Sequence, residues 1–199
     1  MLHIKCWLYD IYHNFTPKEA TDYTPNYFLG HRRLSIVDLS ENAFQPMESR
    51  CRNYSLIFNG EIYNYIELKE ELLAAGCKFE TDHSDSEVLL NAYATWGADC
   101  VKNFRGMFAF AVFNRSKNTL FLARDRMGQK PLYYELNENS FTFASELSPI
   151  LEFSERQPIN STALNLYLLL GYIPHPHSIF QNIQKLPPAT CATINLKDQ

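Results

Sequence analysis

The second half of the chain alternates apolar and polar residues with a period of two, which is typical of β-strands with one buried face. The alternation predicts four short strands, Met107–Asn114, Thr119–Arg124, Leu132–Leu136 and Phe141–Ala144. Polar turns at 115–118 and 137–140 join them in antiparallel hairpins. Further strands are predicted at Tyr54–Phe58, at 77–81, at 192–196 and around Leu34 and Ile36.

Helical periodicity dominates the stretch between these strands. Asn64 is placed to cap a helix that ends before Gly76, with Leu68 and Leu72 on its apolar stripe. Ser84 and Glu87 predict a capping box for a second helix, which ends at Gly97. Helices are also predicted at 145–151 and 161–170.

The order of these elements indicates the fold class. Two helices, a block of hairpins and further helices imply an α+β domain with layered antiparallel sheets. We expect the strands around Phe58, Phe108, Phe121 and Tyr133 in two stacked antiparallel sheets, with the helices at 65–75 and 85–96 on one outer face.

The segment Asn59-Gly60-Glu61 is the first candidate for chemistry. It follows the strand Tyr54–Phe58, and we interpret it as a corner at the end of that strand. A side-chain amide beside a glycine N–H offers two donors that could hold an oxyanion. A type I′ hairpin turn is the alternative. The helix cap that follows weakens this alternative, because a hairpin would need a returning strand.

Two acidic positions have competing interpretations. Asp85 lies in the first turn of the second helix, where the helix dipole favours an anion and lowers its tendency to protonate. It could be a binding residue or a simple helix cap. The charges of Asp125 and Arg126 could form a solvated turn or a buried ion pair, and we favour the solvated turn.

Composition and charge exclude several classes. With 199 residues, 46% of them apolar, the chain can bury the core of one domain. A net charge of −4 argues against a nucleic-acid surface. An apolar run long enough to span a membrane and a convincing signal peptide are both missing. These features predict a soluble, cytoplasmic protein without nucleic-acid or membrane partners.

Cysteine and histidine spacing gives no metal signal. The five cysteines are far apart and form no C-x-x-C motif, which suits free thiols in a reducing compartment. His175 and His177 flank a proline, and we interpret them as part of a loop. We therefore predict no metal site.

Five motifs together resemble a known family, the glutaminase domain of glutamine-hydrolysing asparagine synthetases. They lie at Gly30–Asp38, Phe58–Asn64, Ser84–Glu87, Arg105–Phe110 and Ala123–Gly128, the last continuing into Lys130–Tyr134. These domains are class II glutamine amidotransferases of the N-terminal-nucleophile hydrolase fold. The resemblance covers about residues 28 to 198 and implies a four-layer αββα sandwich.

The resemblance also implies a glutamine site. Arg33 matches the arginine that binds the substrate α-carboxylate, a role that suits its planar fork. Asp85 and Glu61 match the residues that hold the α-ammonium, and Asn59 with the Gly60 N–H matches the oxyanion hole. Backbone groups around Leu34 to Val37, including Ile36, would line the pocket.

The amino-terminal end departs from the family pattern. Related domains begin Met-Cys-Gly-Ile, and the freed cysteine attacks the glutamine amide. Here position 2 is Leu2, the H-R-G-P-D loop is missing, and His13 is its candidate remnant. Cys6 would need removal of five residues to become N-terminal, and we do not assign it as the nucleophile. Residues 1–28 are therefore interpreted as an altered or truncated segment, and residues 29–199 as the amidotransferase type 2 domain.

The family also has an ATP-dependent synthetase domain with a pyrophosphate-binding S-G-G-x-D loop, which this sequence lacks. The resemblance implies glutamine hydrolysis that supplies ammonia for asparagine formation, a ligase reaction in asparagine biosynthesis. We expect this chain to be inactive because the N-terminal cysteine is missing. ATP and Mg²⁺ would belong to the synthetase domain, so no cofactor is expected here.

Two further interpretations stay open. The chain could be a non-catalytic glutamine-binding or regulatory module, or a truncated gene product. Glutamine is the expected ligand, and a separate synthetase domain or a homodimer partner are the possible protein partners. The sequence leaves open which acceptor the parent synthetase amidates.

Overall fold

The computed structural model describes residues 3–9, 27–32, 45–138, 140–154 and 156–196. Within this part of the chain ten strands form two sheets. The strands are β1 His3–Tyr9, β2 Tyr27–Arg32, β3 Met47–Glu48, β4 Tyr54–Ile62, β5 Gly106–Asn114, β6 Thr119–Arg124, β7 Tyr133–Leu136, β8 Ser140–Ala144, β9 Ile183–Lys185 and β10 Cys191–Asn195. The helices are α1 Tyr65–Ala74, α2 Asp85–Trp96, α3 Leu147–Phe153 and α4 Ser161–Leu170, and a 3₁₀ helix at Gly97–Lys102 follows α2.

The first sheet, called sheet I here, has the strand order β10-β6-β5-β4-β3 and is antiparallel throughout. Sheet II has the order β2-β1-β8-β7-β9. In sheet II, β1 is parallel to both β2 and β8, while β7 is antiparallel to both of its neighbours. The prediction of two sheets is confirmed, but the prediction that both are wholly antiparallel is wrong for β1.

The two sheets pack face to face through alternate side chains of their strands. Ile57, Ala109 and Leu122 of sheet I meet Phe141 and Phe143 of sheet II in one buried cluster. Leu56 and Phe58, the neighbours of Ile57 in β4, point to the opposite face of sheet I, as the two-residue period of a strand requires.

Helices cover the outer faces of both sheets. Leu68 and Leu72 of α1 and Leu89 of α2 are buried in one cluster with Phe58 and Phe110. On the other side, Ile150 of α3 packs with Ala144 and Ile183 of sheet II. The layer order is helices, sheet I, sheet II and helix, which confirms the predicted αββα sandwich of α+β class.

The individual element predictions have mixed outcomes. The helices α1, α2 and α4 and the strands β5 to β8 and β10 lie where the sequence predicts them, and α3 begins two residues late. The strand predicted at 77–81 is wrong, because this segment has no regular structure and its N–H groups at Glu80 and Thr81 donate to the Glu87 carboxylate. The strand predicted around Leu34 and Ile36 lies outside the described residues.

The helix caps are partly as predicted. The Ser84 hydroxyl accepts a hydrogen bond from the Glu87 N–H at 3.4 Å, which is half of the expected capping box. Asn64 stands at the start of α1 without capping it. Its side chain instead accepts from the Arg105 N–H at 2.8 Å and donates to the Asn103 carbonyl. Asn64 therefore connects α1 to the start of β5.

A buried aspartate organises the loop after β6. The Asp125 carboxylate, 1% exposed, accepts hydrogen bonds from four backbone N–H groups. The donors are those of Phe108, Met127, Gln129 and Lys130. Burial raises the pKa of Asp125, but these donors outweigh it and leave the pKa below its ordinary value. The predicted solvated turn is wrong for Asp125, and no ion pair holds it among the described residues.

The helix α4 is covered less than the other helices. Only Ala163 is buried in it, and Leu168 and Leu169 are 74% and 79% exposed. The segment after it, around His175 and His177, is a loop, as predicted. Among the described residues no helix is long and apolar enough to cross a membrane.

Candidate active site at the open edge of strand β4

Strand β4 continues through the Asn59-Gly60-Glu61 segment. Gly60 pairs with Phe108 of β5, and the pairing runs without interruption to Ile62. The predicted corner after Phe58 and the alternative hairpin turn are therefore both wrong. Gly60 has φ +146°, and a Cβ on it would lie 2.1 Å from the Met107 carbonyl oxygen. A glycine is needed here because β4 and β5 approach too closely for any side chain.

Asn59 reaches from sheet I to sheet II. It lies on the same face of β4 as Ile57, which packs between the sheets. Its Nδ2 donates to the Oγ of Ser145 at 3.0 Å, and Ser145 is the buried residue that follows β8. An amide nitrogen carries two hydrogens. One is engaged by Ser145, and the second can serve a ligand.

Among the described residues, only the short strand β3 pairs with the edge of β4 that faces away from β5. There β3 covers Ser55 and Leu56. Further along, the Phe58 N–H donates to Oε1 of Gln45 at 2.6 Å, and the Ile62 N–H donates to Oδ2 of Asp85 at 3.1 Å. Since the N–H groups of a strand alternate in direction, the Gly60 N–H points to this same edge. It lies midway between two N–H groups that side chains already hold.

Asp85 is the first residue of α2 and is 8% exposed. Burial raises the pKa of its carboxyl to about 6, against the lowering effect of the Ile62 and Ser86 N–H groups, and the nearby Glu61 raises it further. We expected the helix dipole to dominate and to lower the tendency to protonate. That expectation is wrong because burial outweighs the dipole.

The charge environment of Asp85 differs from that of the structural carboxylate of Asp125, whose four N–H donors leave its pKa below the ordinary value. Neither ion pair formed between described residues involves it. Glu61, half-buried two residues beyond Asn59, adds negative charge rather than compensating it. A buried carboxylate with a perturbed pKa, and with no cation beside it in the described part of the chain, is typical of functional sites. The arrangement suits an incoming cation.

Several sequence-predicted residues lie outside the described part of the chain. Arg33, Leu34, Ile36 and Val37 are among them, as are Leu2 and His13. Of Cys6, the structure describes the backbone, which lies in the middle of β1 between β2 and β8. The structure thus brings Asn59, Gly60, Glu61 and Asp85 into one region and leaves the other predictions as they were.

Three neighbours of the site were not predicted, namely Gln45, Ser86 and Ser145. Each acts through a contact between residues distant in sequence, 13 to 86 positions apart. No periodicity or spacing reports such contacts. Among the described residues no three His, Cys, Asp or Glu side chains come together in a way that could hold a metal ion.

Comparisons with known proteins point to one family. A family model described as "Glutamine amidotransferase domain" matches residues 12–199. A putative glutamine-hydrolysing asparagine synthetase 2 of Methanocaldococcus jannaschii is 44% identical in an alignment that covers 79% of this chain and 33% of the relative. The glutamine-hydrolysing asparagine synthetase 1 of Bacillus subtilis is 42% identical over 83% of this chain and 26% of its own length.

A solved structure shares the fold. The glutamine phosphoribosylpyrophosphate amidotransferase of B. subtilis, complexed with ADP and GMP, matches 80% of this chain and 31% of its own with a TM-score of 0.55 and 19% identity. The chain therefore spans about a quarter to a third of the length of these relatives.

Proposed function

The chain belongs to the family of glutamine amidotransferase domains, and from this premise we propose that it binds glutamine at the open edge of β4. The observation that carries the proposal is the buried Asp85 carboxylate, which has no cationic partner among the described residues. Asp85 accepts from the Ile62 N–H, and Ile62 is two residues after Gly60, whose N–H points to the same edge of β4. One end of the site thus suits an ammonium group and the other a carbonyl oxygen.

Each end of glutamine has a proposed partner. Asp85 and Glu61 bind the α-ammonium, which offsets the cost of burying Asp85 and its repulsion by Glu61. The Gly60 N–H and the second hydrogen of Asn59 Nδ2 donate to the side-chain amide oxygen. In a hydrolytic reaction the same two donors would stabilise the oxyanion of the tetrahedral intermediate.

Arg33 is the proposed partner of the α-carboxylate, with backbone groups of Leu34, Ile36 and Val37 beside it. Backbone placement supports this proposal. The strands β2, β1 and β8 are mutually parallel, so the C-terminal ends of β2 and β8 lie on the same side of sheet II. Ser145 follows the C-terminal end of β8 and contacts Asn59. The strand β2 ends on the same side of sheet II, one residue before Arg33 in the sequence.

The larger reaction is proposed from the relatives. We propose that the domain supplies ammonia from glutamine to an ATP-dependent synthesis of asparagine, which the names of the M. jannaschii and B. subtilis relatives support. ATP and Mg²⁺ would act in a synthetase domain, as a separate chain or domain, and this domain would need no cofactor. The cysteines whose side chains are described are free thiols, which suits the proposed cytoplasmic location.

A second candidate function is non-catalytic glutamine binding. It is favoured by the position of Cys6 in the middle of β1, between β2 and β8, because a nucleophile of this family is an N-terminal residue. We propose that a polypeptide of this sequence binds glutamine without measurable hydrolysis. Mass-checked protein assayed for glutamate release tests this. Release that disappears in Cys6→Ala would show instead that processing exposes Cys6.

Calorimetric titration of the chain tests the binding function. Glutamine should bind, and 4-carbamoylbutanoate, which lacks the α-ammonium, should bind far more weakly. Arg33→Ala should weaken glutamine binding by about 2–4 kcal/mol, because it removes the bidentate partner of a desolvated carboxylate. Arg50→Ala, at an exposed position beyond β3, is the matched control. Equal affinity for glutamine and its analogue would contradict the assignment of Asp85.

A further inference from the structure

Gln45 joins the two elements that form the candidate site. Its Oε1 accepts from the Phe58 N–H of β4 at 2.6 Å, and its Nε2 donates to the Oγ of Ser86 in α2 at 3.4 Å. Phe58 and Ser86 are 3% and 6% exposed, so both contacts are made by groups withdrawn from water. Ser86 is the neighbour of Asp85, and Phe58 is the neighbour of Asn59.

Gln45 and Asp85 make the same kind of contact, because the side chain of each accepts a hydrogen bond from one N–H of β4. On the edge of β4 away from β5, beyond the two residues that β3 covers, described side chains accept from two of the N–H groups of β4. Gln45 does so at Phe58 and Asp85 does so at Ile62, one on each side of Gly60. The first turn of α2 is therefore tied to β4 at two points, with the Gly60 N–H between them.

The spacing of these two points is related to the proposed ligand. The N–H groups of Gly60 and Ile62 are separated by two strand residues, about 7 Å. A ligand whose side-chain amide oxygen accepts from the Gly60 N–H must place its α-ammonium beside Asp85, at the other end of that gap. A shift of α2 along β4 would change the length of ligand that fits.

We propose that Gln45 is a positioning residue that fixes the first turn of α2 against β4 and so sets the distance between the Gly60 N–H and the Asp85 carboxylate. The role in ligand selection rests on the proposed glutamine function, whereas the mechanical role does not. Gln45 itself contacts no ligand in this account. Without Gln45, the hydrogen bond from the Ile62 N–H to Asp85 would open more often, because one of the two polar contacts between β4 and the first turn of α2 would be lost.

Amide hydrogen exchange followed residue by residue tests the mechanical role in the free protein. In Gln45→Ala, the Ile62 amide should exchange at least ~10-fold faster than in wild type, although its hydrogen bond is to Asp85 and not to Gln45. In Gln45→Glu the carboxylate can accept from both the Phe58 N–H and the Ser86 hydroxyl, so slow exchange at Ile62 should be restored. Gln181→Ala removes an equivalent side-chain contact, to the Ile159 carbonyl, and should leave Ile62 unchanged.

A glutamine titration of the same variants tests the role in selection. Gln45→Ala should lower the ratio of glutamine to asparagine affinity at least ~10-fold, and Gln45→Glu should restore it. Faster exchange at Ile62 together with a lower ratio supports the whole inference. Exchange that accelerates at Phe58 alone would overturn it, because Gln45 would then have only a local role.

The two parts of the account can fail separately. If wild-type protein binds no glutamine but Gln45→Ala accelerates exchange at Ile62, the proposed function is overturned and the mechanical role of Gln45 stands. If glutamine binds and both the ratio and the Ile62 exchange are unchanged in Gln45→Ala, the positioning role is overturned and the function stands.

Discussion

At the scale of single residues, the candidate site is marked by a buried carboxylate that forms no ion pair with any residue the structure describes. Asp85 is buried and bonded to the Ile62 N–H, but its carboxyl keeps a pKa of about 6 because burial and Glu61 both oppose ionisation. Such a carboxylate costs stability at neutral pH in the free protein. Asp85 differs in this respect from Asp125, whose four backbone N–H donors leave its pKa below the ordinary value.

The first prediction concerns the pH dependence of stability. The pKa of Asp85 is raised from 3.8 to about 6 in the folded state, so the folded protein binds this proton more tightly than the unfolded chain. Its stabilising contribution is present below pH ~4 and is lost as pH rises through ~6. Asp85→Asn should therefore raise the free energy of unfolding at pH 7.5 by up to about 3 kcal/mol and change it little at pH 4.

Urea denaturation of both proteins at the two pH values is the measurement. Asp82→Asn, at an exposed position three residues earlier, serves as the control and should show no such pH dependence. The Asp85→Asn variant should also lose glutamine binding, so the same substitution would raise the free energy of unfolding and remove the function. An Asp85→Asn variant that is less stable than wild type at pH 7.5 would contradict the account.

The second prediction concerns Asp125, whose role is structural. Its carboxylate satisfies four backbone N–H groups with almost no access to water. Asp125→Ala should lower the free energy of unfolding by about 3–5 kcal/mol, because buried donors lose their acceptor. Asp99→Ala removes an exposed ion pair with Lys102 and should have little effect. Equal melting temperatures for the two variants would refute this assignment.

At the scale of elements, the sequence predicts most helices and strands because their periods are local. It misplaces the end of β4 because Asn-Gly is a common turn signal, whereas here the glycine serves a close approach to β5. It likewise predicts a strand at 77–81, where the Glu87 carboxylate accepts from the backbone instead. Both errors arise where a contact between distant residues overrides a local preference.

The third prediction tests that explanation of Gly60. Gly60→Ala would place a Cβ 2.1 Å from the Met107 carbonyl oxygen, so β4 and β5 would have to separate. We expect a loss of about 4 kcal/mol or more in the free energy of unfolding, or failure to fold. Gly76→Ala is the matched control, because Gly76 also has a positive φ but a Cβ there would contact nothing within 4 Å.

The control variant should lose about 1 kcal/mol, which is the cost of the backbone conformation alone. Urea denaturation and soluble yield compare the two. If Gly60→Ala costs no more than Gly76→Ala, the close approach of the strands is not what requires glycine at position 60.

At the scale of the whole molecule, the αββα sandwich could be predicted because periods of two and 3.6 residues and the family motifs agree. The parallel pairing of β1 could not, since strand direction depends on neighbours far away in the sequence. Of the site, Asn59, Gly60, Glu61 and Asp85 were accessible through the motifs. Gln45 and Ser145 were not, because only the folded chain brings them to β4 and α2.

The central claim is that glutamine binds along the open edge of β4, and amide NMR spectra recorded during a glutamine titration test it most directly. The Gly60 amide should show the largest shift along β4, because its N–H is proposed to donate to the ligand. The Phe58 amide should move less, since Gln45 already accepts from it. Saturable glutamine binding that leaves the Gly60 amide unmoved would contradict the claim.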